Sequence, residues 1–359
     1  MQRNVRPVTD RLDTVISRVD ADLGAFLDDR AAALARLGAD IDPVLSAARR
    51  LVLDGGKRLR PTFVYWGWRT VCAADADDRA LLTAAASLEL LHACALVHDD
   101  VMDASDTRRG RASAHAAFAQ LHREQRWSGD PDVFGTAAAI VLGDLLLSWA
   151  DEMFATAGVP DGQARSVYDE MRQLVMAGQY LDVLSQARGA YSVDEALRVI
   201  EFKTSKYTIE GPLHLGAAIA GAPPAVFDVL SRYGLALGEA FQLRDDVLGV
   251  FGDPDVTGKP AGDDLREGKH TLLTALAMQA ADDMQASALR AGLGDRGLDD
   301  AQITQLRDVI VTTGALERVE QRISACAGQA RAALGAPDIS APARETLAAL
   351  VAVAVDRHA

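Results

Sequence analysis

A helical repeat of apolar residues runs through almost the whole chain and constrains its fold more than any other feature. Segments rich in Ala, Leu and Arg extend for about 15 to 30 residues between short breaks that contain Gly, Pro and Asp. No stretch of the sequence shows the sustained alternation of β-branched residues that is typical of strands. Because the breaks are too short to separate domains, the sequence predicts one all-α domain over residues 1–359, with roughly ten or more helices.

Charge and cysteine content narrow the range of partners and compartments. The formal net charge of −14 argues against nucleic acid as a partner. Three cysteines lie far apart without a Cys-x-x-Cys pair, as is typical of a reduced, cytoplasmic protein. The most apolar stretch, residues 137–147, is interrupted by Asp144 and is too short to cross a bilayer. We therefore expect a cytoplasmic protein without a membrane span.

Two aspartates spaced by one helical turn mark the strongest candidate site. Asp99 and Asp103 lie in the segment Ala-Leu-Val-His-Asp-Asp-Val-Met-Asp, where a helix places both carboxylates on one face. Like charges at this spacing repel each other, and the preceding run is too apolar to be a solvated face. A second acidic pair, Asp245 and Asp246, follows another apolar stretch. Hard cations that hold a polyphosphate between helices would compensate both clusters.

Basic motifs of a kind that suits phosphate accompany the acidic ones. A Gly-Gly-Lys-Arg-Leu-Arg segment opens a helix after a tight turn, and its Lys57 and Arg60 share a face. Positive charge opposes the dipole at a helix start, so a bound anion explains this motif better than an ordinary basic helix does. His92 lies two turns before the first acidic pair and points to the same side. The adjacent side chains of Arg108 and Arg109 diverge, so they can serve two different anions.

Lysine is rare in this chain, which makes its placement informative. Only five of the 37 basic residues are lysines, and they fall in three segments next to Gly, Pro, Thr or Ser. A lysine offers the compact point charge that is often used on phosphate. Two of the five lie in a long, polar, Gly-rich segment, residues 251–271, which we expect to be a loop that acts as a lid.

Taken in order, these motifs resemble those of the trans-isoprenyl diphosphate synthases, the chain-elongating prenyltransferases. The resemblance covers about residues 45–275 in the family's order and spacing, and the rest of the chain matches only as helix. It implies the type I isoprenoid synthase fold, a single helical bundle around a deep central cavity, and a homodimer. The matching motifs are Gly-Gly-Lys-Arg-x-Arg-Pro, Asp-Asp-x-x-Asp with Arg-Arg-Gly, Lys-Thr, Gln-x-x-Asp-Asp, and Gly-Lys followed by Gly-Lys-x-Thr.

The resemblance also implies a role for each matched residue. Three Mg²⁺ ions, for which Mn²⁺ could substitute, would bridge the acidic motifs to the diphosphate of an allylic substrate, and isopentenyl diphosphate would be the second substrate. Closure of the polar loop would keep water away from the allylic cation. By position, the metal ligands would be Asp99, Asp103 and Asp245; the allylic diphosphate would bind Arg108, Lys203, Thr204, Gln242, Lys259 and Lys269; and isopentenyl diphosphate would bind Lys57, Arg60, His92 and Arg109.

Two places in the sequence concern the family pattern directly: one lacks an expected aspartate, and the other bears on the length of the product. Gly249 stands where many members carry a third aspartate in the second acidic motif; it cannot bind a metal, but we expect activity to survive. Ala95 and Cys94, just before the first acidic motif, are small where members that stop at fifteen carbons usually carry a bulky aromatic residue. With Leu91 as a candidate for a deeper floor, these positions favour geranylgeranyl diphosphate or a longer product, and we predict the C20 product, geranylgeranyl diphosphate.

Three other interpretations fit the sequence less well. A class I terpene cyclase also uses an aspartate-rich motif, but it does not need the site at Lys57 and Arg60. Such a cyclase usually has an aromatic-rich cavity, whereas only 5% of this chain is aromatic. A non-catalytic subunit of the same fold tends to lose charged motif residues, and here only the position of Gly249 lacks its charge. A purely structural helical protein gives no reason for the placement of the lysines.

Overall fold

The helical repeat of the sequence forms helices in the protein, and the all-α prediction is confirmed. The computed structural model describes residues 6–73, 75–160, 162–189, 191–253 and 262–355, with side chains from residue 13 onward. Two compact units divide the chain: unit 1 is residues 1–164 with 215–221, and unit 2 is residues 165–214 with 222–359. The assignment of residues 1–359 to one domain stays a prediction.

The helices of unit 1 end at the breaks that the sequence predicted. The turn at Gly55 and Gly56 separates its second and third helices, and Pro131 begins its last long helix. Two 3₁₀ turns, Ala35–Leu37 and Ala39–Ile41, join its first two helices. The elements of unit 1 are α1 (Arg6–Leu34), α2 (Asp42–Leu53), α3 (Leu59–Trp68), α4 (Arg79–Met102), β1 (Thr107–Arg108), β2 (Arg111–Ala112), α5 (Ala114–Gln125) and α6 (Pro131–Thr156).

Helix α4 forms the centre of unit 1 because it is apolar on every side. It packs against α1, α2, α3, α5 and α6. By length and composition alone, α4 and α6 are each long and apolar enough to cross a membrane. In the most apolar stretch of α4, 72% is buried inside the protein, as in a core helix. In the corresponding stretch of α6, the buried share is 39%. Helix α6 has 26 residues and extends well beyond residues 137–147, on which the sequence argument against a span rested.

Unit 2 surrounds a long central helix, α10 (Pro224–Phe251). It packs against α11 (Asp263–Glu267), α12 (Leu272–Ala280), α15 (Ala315–Ala333), α16 (Ala341–Val355) and a π-helical segment (Ile200–Glu210). Side chains that cap helix N-termini define several of its breaks; Thr271, Asp282 and Asp299 each begin a helix with a capping box. Helix α9 (Gly211–Ile219) begins in unit 2 and ends in unit 1. The other elements of unit 2 are α7 (Gln163–Arg188), α8 (Val193–Val199), α13 (Asp283–Gly292) and α14 (Asp300–Thr312).

Two local features of unit 2 differ from the sequence prediction. Residues 263–267, predicted to belong to the polar loop, form helix α11. Residues 200–210 form a π-helix instead of the predicted α-helix. Gly234 and Gly238, one turn apart on α10, admit this wider segment: a Cβ on Gly234 would lie 2.8 Å from the Cα of Glu210, and one on Gly238 would lie 2.4 Å from the Cα of Ser205. Such segments occur frequently at functional sites.

Candidate functional site

The first acidic motif lies at the C-terminal end of α4. The helix ends at Met102, and Asp103 follows it with helical backbone angles while its N–H donates to the carbonyl of Asp99 over 2.8 Å. Asp99 and Asp103 therefore keep the one-turn spacing, although Asp103 lies just beyond the helix. Both residues are half-buried. Their carboxylates are thus accessible to a ligand on this end of the helix.

Asp100, which the sequence did not single out, is the buried member of the motif. It is 1% exposed, and both Nε and Nη2 of Arg108 donate to its Oδ1, the Nε over 2.9 Å. The same Nη2 lies 3.6 Å from Oδ2 of Asp99. Burial raises the pKa of Asp100, and the guanidinium of Arg108 opposes that rise. Arg108 therefore compensates the negative charge of the first acidic motif. No sequence pattern indicated its pairing with Asp100, because the two residues lie eight positions apart.

A tight β-hairpin places the arginines after this motif. Arg108 pairs with Arg111, and Arg109 and Gly110 form the turn between them. Both turn residues have positive φ, +53° and +71°, as a type I′ turn requires. Nη1 of Arg109 donates to the carbonyl of Asp54 over 3.2 Å, and Nη1 of Arg111 donates to its Oδ2 over 2.8 Å. The neighbouring Arg108 and Arg109 thus reach different partners.

The Gly-Gly turn before α3 lies beside the guanidinium of Arg109. Gly55 and Gly56 have φ of +86° and +108°, and a Cβ on Gly56 would lie 3.6 Å from Nη2 of Arg109. The same Cβ would lie 3.0 Å from Nη1 of Arg58, which is buried and forms an ion pair with Glu89 over 2.9 Å. Glycine is therefore needed here both for its backbone angles and for its lack of a side chain.

His92 adds a neutral donor to this basic neighbourhood. Its pKa lies well below the usual value because burial disfavours the imidazolium and because the charges of Arg60 and Arg109 repel it. A neutral imidazole keeps one N–H that can donate to an anion. The structure thus brings together His92, Arg60 and Arg109, while Lys57 is exposed at the start of the same segment.

The positions proposed to limit the product length lie on the part of α4 before the acidic motif. Cys94 is 4% exposed, and its Sγ lies 3.8 Å from Nδ1 of His98. Nε2 of that imidazole lies 3.2 Å from the carbonyl of Ile140, so Cys94 belongs to the packing between α4 and α6. Leu91 is 1% exposed, whereas Ala95 is half-buried. Ala95 is therefore the most accessible of the three.

The second acidic motif occupies the last turns of α10 in unit 2. Asp245 is exposed, and Asp246 is 6% exposed. Nε2 of Gln242 donates to Oδ1 of Asp246 over 2.8 Å, and Oγ1 of Thr204 donates to Oε1 of Gln242 over 2.7 Å. Burial raises the pKa of Asp246 to about 8; the Gln242 hydrogen bond opposes the rise, and the charges of Asp264 and Asp245 add to it. The structure thus joins Thr204, Gln242 and the second acidic motif in one hydrogen-bonded chain.

Lys203 lies on the π-helical segment and is held by α7. Its Nζ lies 2.6 Å from Oδ2 of Asp182. A Cβ on Gly178 would lie 2.7 Å from the backbone nitrogen of Lys203, so the two helices approach each other closely at this point. Sequence reasoning missed Asp182, because an acidic residue on a helix of mixed polarity carries no signal of its own.

Lys269 lies just after α11 and is anchored through its backbone and its side chain. Its Nζ lies 3.3 Å from Oδ1 of Asp264 and 2.9 Å from Oε2 of Glu267. Its N–H donates to the carbonyl of Asp264, and its carbonyl accepts from Oγ1 of Thr274, each over 3.1 Å. Lys259, the other lysine predicted to bind phosphate from this segment, lies outside the described residues.

The donors of the two acidic motifs suit a hard cation that a substrate helps to bind. Among the described residues, no group of three or more His, Cys, Asp and Glu side chains is arranged to hold a metal by itself. Magnesium commonly takes one or two carboxylates and fills its other positions with water and phosphate oxygens. The accessible carboxylates of Asp99 and Asp103 in unit 1, and of Asp245 in unit 2, fit that mode of binding.

Known proteins resemble this chain over nearly its full length. Residues 42–310 match the family profile described as polyprenyl synthetase. Geranylfarnesyl diphosphate synthase of Aeropyrum pernix is 33% identical over 88% of this chain and 95% of its own length. Nonaprenyl diphosphate synthase of Mycobacterium tuberculosis is also 33% identical, over 96% of this chain and 98% of its own. The crystal structure of geranylgeranyl pyrophosphate synthase from Corynebacterium glutamicum, complexed with isoprenyl diphosphate and magnesium, has a TM-score of 0.93 and 42% identity, covering 97% of this chain and 99% of that one.

These matches confirm the resemblance that the sequence motifs indicated. The family profile covers residues of both units, and the relatives match over most of this chain and of their own length. The structural similarity shows that the all-α architecture is the type I isoprenoid synthase fold. The chain therefore belongs to the polyprenyl synthetase family and is a trans-isoprenyl diphosphate synthase.

Proposed function

We propose that the protein condenses isopentenyl diphosphate with an allylic diphosphate (dimethylallyl, geranyl or farnesyl diphosphate), releases diphosphate, and makes mainly geranylgeranyl diphosphate. One observation carries this proposal: the neutral imidazole of His92 lies among the guanidinium groups of Arg60 and Arg109. That basic arrangement suits direct binding of an anion. The acidic motifs are a different kind of site, because their carboxylates suit an anion that binds through metal ions. Two such sites fit an enzyme that joins two diphosphate substrates.

Isopentenyl diphosphate is the proposed ligand of the basic neighbourhood in unit 1. Lys57, Arg60, His92 and Arg109 would bind its diphosphate, with the Gly-Gly turn leaving room for the anion. Because the Arg109 guanidinium is already placed by its hydrogen bond to Asp54, little ordering is needed when the anion binds. A bound anion would also raise the pKa of His92, because negative charge favours the imidazolium.

The allylic diphosphate is the proposed ligand of cations that carboxylates hold in place. Arg108 is positioned by Asp100, Lys203 by Asp182, and Lys269 by Asp264. Each charge is therefore fixed before the substrate binds, which suits catalysis by electrostatic preorganisation. Gln242 and Lys259 complete the proposed set.

Divalent metal use is a property of the family, and we propose three Mg²⁺ ions, replaceable by Mn²⁺, for this chain. Asp99, Asp103 and Asp245 would hold them. When bound, the ions would supply positive charge to the diphosphate that leaves the allylic carbon.

The remaining chemistry needs no protein nucleophile. The C–O bond of the allylic diphosphate breaks, the double bond of isopentenyl diphosphate supplies the electron pair of the new C–C bond, and a proton then leaves to restore a double bond. Thr204 donates its hydroxyl proton to Gln242, so the lone pairs of its oxygen can stabilise the allylic cation. The released diphosphate is the proposed proton acceptor.

An apolar surface suited to a growing prenyl chain runs along α7 in unit 2. Met176, Tyr180 and Val183 repeat at helical spacing and are 48%, 65% and 39% exposed. These three side chains lie about 100° or more around α7 from Asp182, the partner of Lys203, so the surface is proposed for the apolar tail of a prenyl diphosphate and not for its anionic head.

The length of the product can be tested at Ala95, the accessible member of the proposed chain-length positions. We expect Ala95→Phe to shorten the main product from C20 to C15, because the aromatic ring would occupy space that the tail needs. Cys94→Phe should shorten the product as well, but it would also disturb His98 and the packing of α6. Chromatography of dephosphorylated products measures the length; a C20 product from Ala95→Phe would overturn this floor.

A homodimer is the proposed assembly. Along one face of α6, Val133, Ile140 and Val141 are 67%, 43% and 61% exposed, while the opposite side packs against α4 and α5. An apolar face of this kind suits association with a second copy of the chain.

The same one-sided pattern, with Asp144 on the exposed side, argues against a membrane span. The three cysteines form no disulfide, which supports a cytoplasmic location.

One assay tests the proposed function. The protein is incubated with Mg²⁺, labelled isopentenyl diphosphate and, in turn, dimethylallyl, geranyl and farnesyl diphosphate. We expect label in a C20 prenyl diphosphate. A terpene cyclase would incorporate no label, and failure to elongate any starter would overturn the proposal. The protein with Asp99→Asn serves as the inactive control.

A further inference from the structure

Gly249 replaces a third aspartate of the family pattern, and another carboxylate takes up the space that its side chain would need. A Cβ built on Gly249 would lie 1.8 Å from Oδ2 of Asp264 and 2.4 Å from its Cγ. The first of these distances is hardly longer than one carbon–carbon bond, about 1.5 Å. No side chain can be added at residue 249 unless Asp264 moves.

Asp264 is held in this place by the packing of α11. The neighbouring Leu265 is fully buried in the core of unit 2, and its carbonyl accepts the N–H of Gly294 over 2.9 Å. At the end of α11, a Cβ on Gly268 would lie 2.8 Å from the Cα of Gly294. Because backbone approaches backbone there, α11 has little room to shift, and the Asp264 carboxylate stays against α10.

The same carboxylate organises Lys269. Its Oδ1 lies 3.3 Å from Nζ of Lys269, and its main-chain carbonyl accepts the Lys269 N–H. Asp264 is 8% exposed, so the carboxylate of this ion pair is largely shielded from water, while the Lys269 side chain keeps part of its surface accessible. Two observations therefore meet at Asp264: it fills the place of the missing aspartate, and it fixes a cation proposed to bind diphosphate.

We propose that Asp264 takes over the position of the third aspartate and acts as a positioning residue, which fixes Lys269 for the allylic diphosphate and makes glycine necessary at residue 249. This inference rests on the proposed function and deepens it. Its consequence is the reverse of what the family pattern suggests: restoring aspartate at residue 249 weakens diphosphate binding, because the new carboxylate displaces Asp264 and repels it.

Four variants test this inference. Gly249→Asp places two carboxylates in one space, and Gly249→Asp with Asp264→Ala leaves one. Asp264→Asn keeps the shape and removes one of the two carboxylate charges that hold Lys269, the other being that of Glu267. Gly328→Asp is the matched control, because a Cβ on this exposed glycine of α15 meets nothing within 4 Å. Four quantities are measured for each: the affinity for inorganic diphosphate with Mg²⁺ by calorimetry, KM and kcat for the allylic substrate, and the thermal unfolding temperature.

We expect Gly249→Asp to weaken diphosphate binding and raise the allylic KM at least about tenfold. The double variant should recover to within about threefold of the single Asp264→Asn variant, since both then lack the native Asp264 charge but avoid the clash. Asp264→Asn should raise the allylic KM more than it lowers kcat, because a positioning role for Lys269 acts on substrate binding. The control should match the original protein in all four quantities.

Several outcomes overturn the inference. Diphosphate binding by Gly249→Asp that equals the original protein would do so, as would a double variant no better than Gly249→Asp. If Gly249→Asp does not fold, recovery in the double variant supports the inference, and unchanged diphosphate affinity in Asp264→Asn contradicts it. Failure of the proposed function is seen separately, since calorimetry with inorganic diphosphate needs no turnover. Absence of diphosphate binding in the original protein also overturns the positioning role.

Discussion

The two acidic motifs begin with the same pair of aspartates, yet the buried member of each pair is compensated differently. In unit 1, the buried Asp100 receives two hydrogen bonds from the guanidinium of Arg108. In unit 2, the buried Asp246 receives one from the uncharged amide of Gln242. Burial raises the pKa of both carboxyls, and that of Asp246 reaches about 8. A guanidinium favours the ionised form strongly, whereas an amide does so weakly.

This difference shows that the same Asp-Asp pattern can be stabilised by a charged partner in one place and by an uncharged partner in another. In both motifs the more accessible aspartate, Asp99 or Asp245, is the one proposed to bind a metal, while its buried neighbour sets the local charge. The first motif keeps a fixed charge pair, and the second holds a proton near neutral pH.

The largest expected effect is on catalysis, at the accessible aspartates. Asp99→Asn should lower kcat/KM about 10³-fold, because Asp99 is proposed to bind, together with Asp103, two of the ions that stabilise the leaving diphosphate. Asp245→Asn should lower it about 10²-fold, since it is proposed to bind one. Steady-state kinetics with saturating Mg²⁺ measures both. Equal activity of either variant and the original protein would remove that motif from the proposed metal site.

A smaller effect is expected on stability, at the buried aspartates. Asp100→Asn should lower the free energy of unfolding by about 3 kcal/mol, because it leaves the Arg108 charge without its buried partner. At pH 7, Asp246→Asn should raise it by about 1 kcal/mol or more, since the amide keeps the Gln242 contact and is neutral without the proton that Asp246 must take up on folding. Urea unfolding at pH 7 measures the two. Equal losses would show that the motifs are compensated in the same way.

The smallest expected effect is a pH dependence that the two motifs do not share. The folded protein keeps Asp246 protonated up to a pKa of about 8, against 3.8 for an unperturbed aspartate. This group therefore contributes stability that is fully present below pH 3.8 and is lost as the pH rises towards 8. The difference in unfolding temperature between Asp246→Asn and the original protein should grow by about 2 °C or more from pH 5 to pH 8, in the absence of metal.

Asp100→Asn provides the control for this pH dependence, because its ion pair with Arg108 limits the rise in the pKa of the native carboxyl. Its deficit in unfolding temperature should change less over the same pH range. A pH-independent difference for Asp246→Asn would contradict the proton held by the second motif.

Much of the fold followed from local chemistry in the sequence. Glycine and proline end or begin helices wherever they cluster, so the breaks at Gly55 and Pro131 could be predicted. The one-turn spacing of Asp99 and Asp103 could be predicted too, because it depends only on helix geometry. The family could be predicted from the order of several motifs along the chain, because no single helix carries enough of them to identify it.

What the sequence did not predict depends on contacts between distant segments. Whether Asp99 or Asp100 is buried depends on where the hairpin places Arg108, and no helical repeat contains that information. The partner of Lys203 is Asp182, 21 residues away on α7. The replacement for the third aspartate is Asp264, which reaches Gly249 only because α11 packs on α10. The π-helical segment likewise depends on glycines in α10 that lie far from it in sequence.

The π-helical segment makes the length of the chain, as well as its residues, part of the function. Its wider turns hold more residues than an α-helix of the same rise. Deleting a single residue between 200 and 210 would favour ordinary α-helix and rotate the preceding part by about 100°. Lys203 would then turn away from Asp182, or Thr204 from Gln242. Evolution can therefore exchange many residues here but cannot lose one, and an engineer who remodels this enzyme is bound by the same rule.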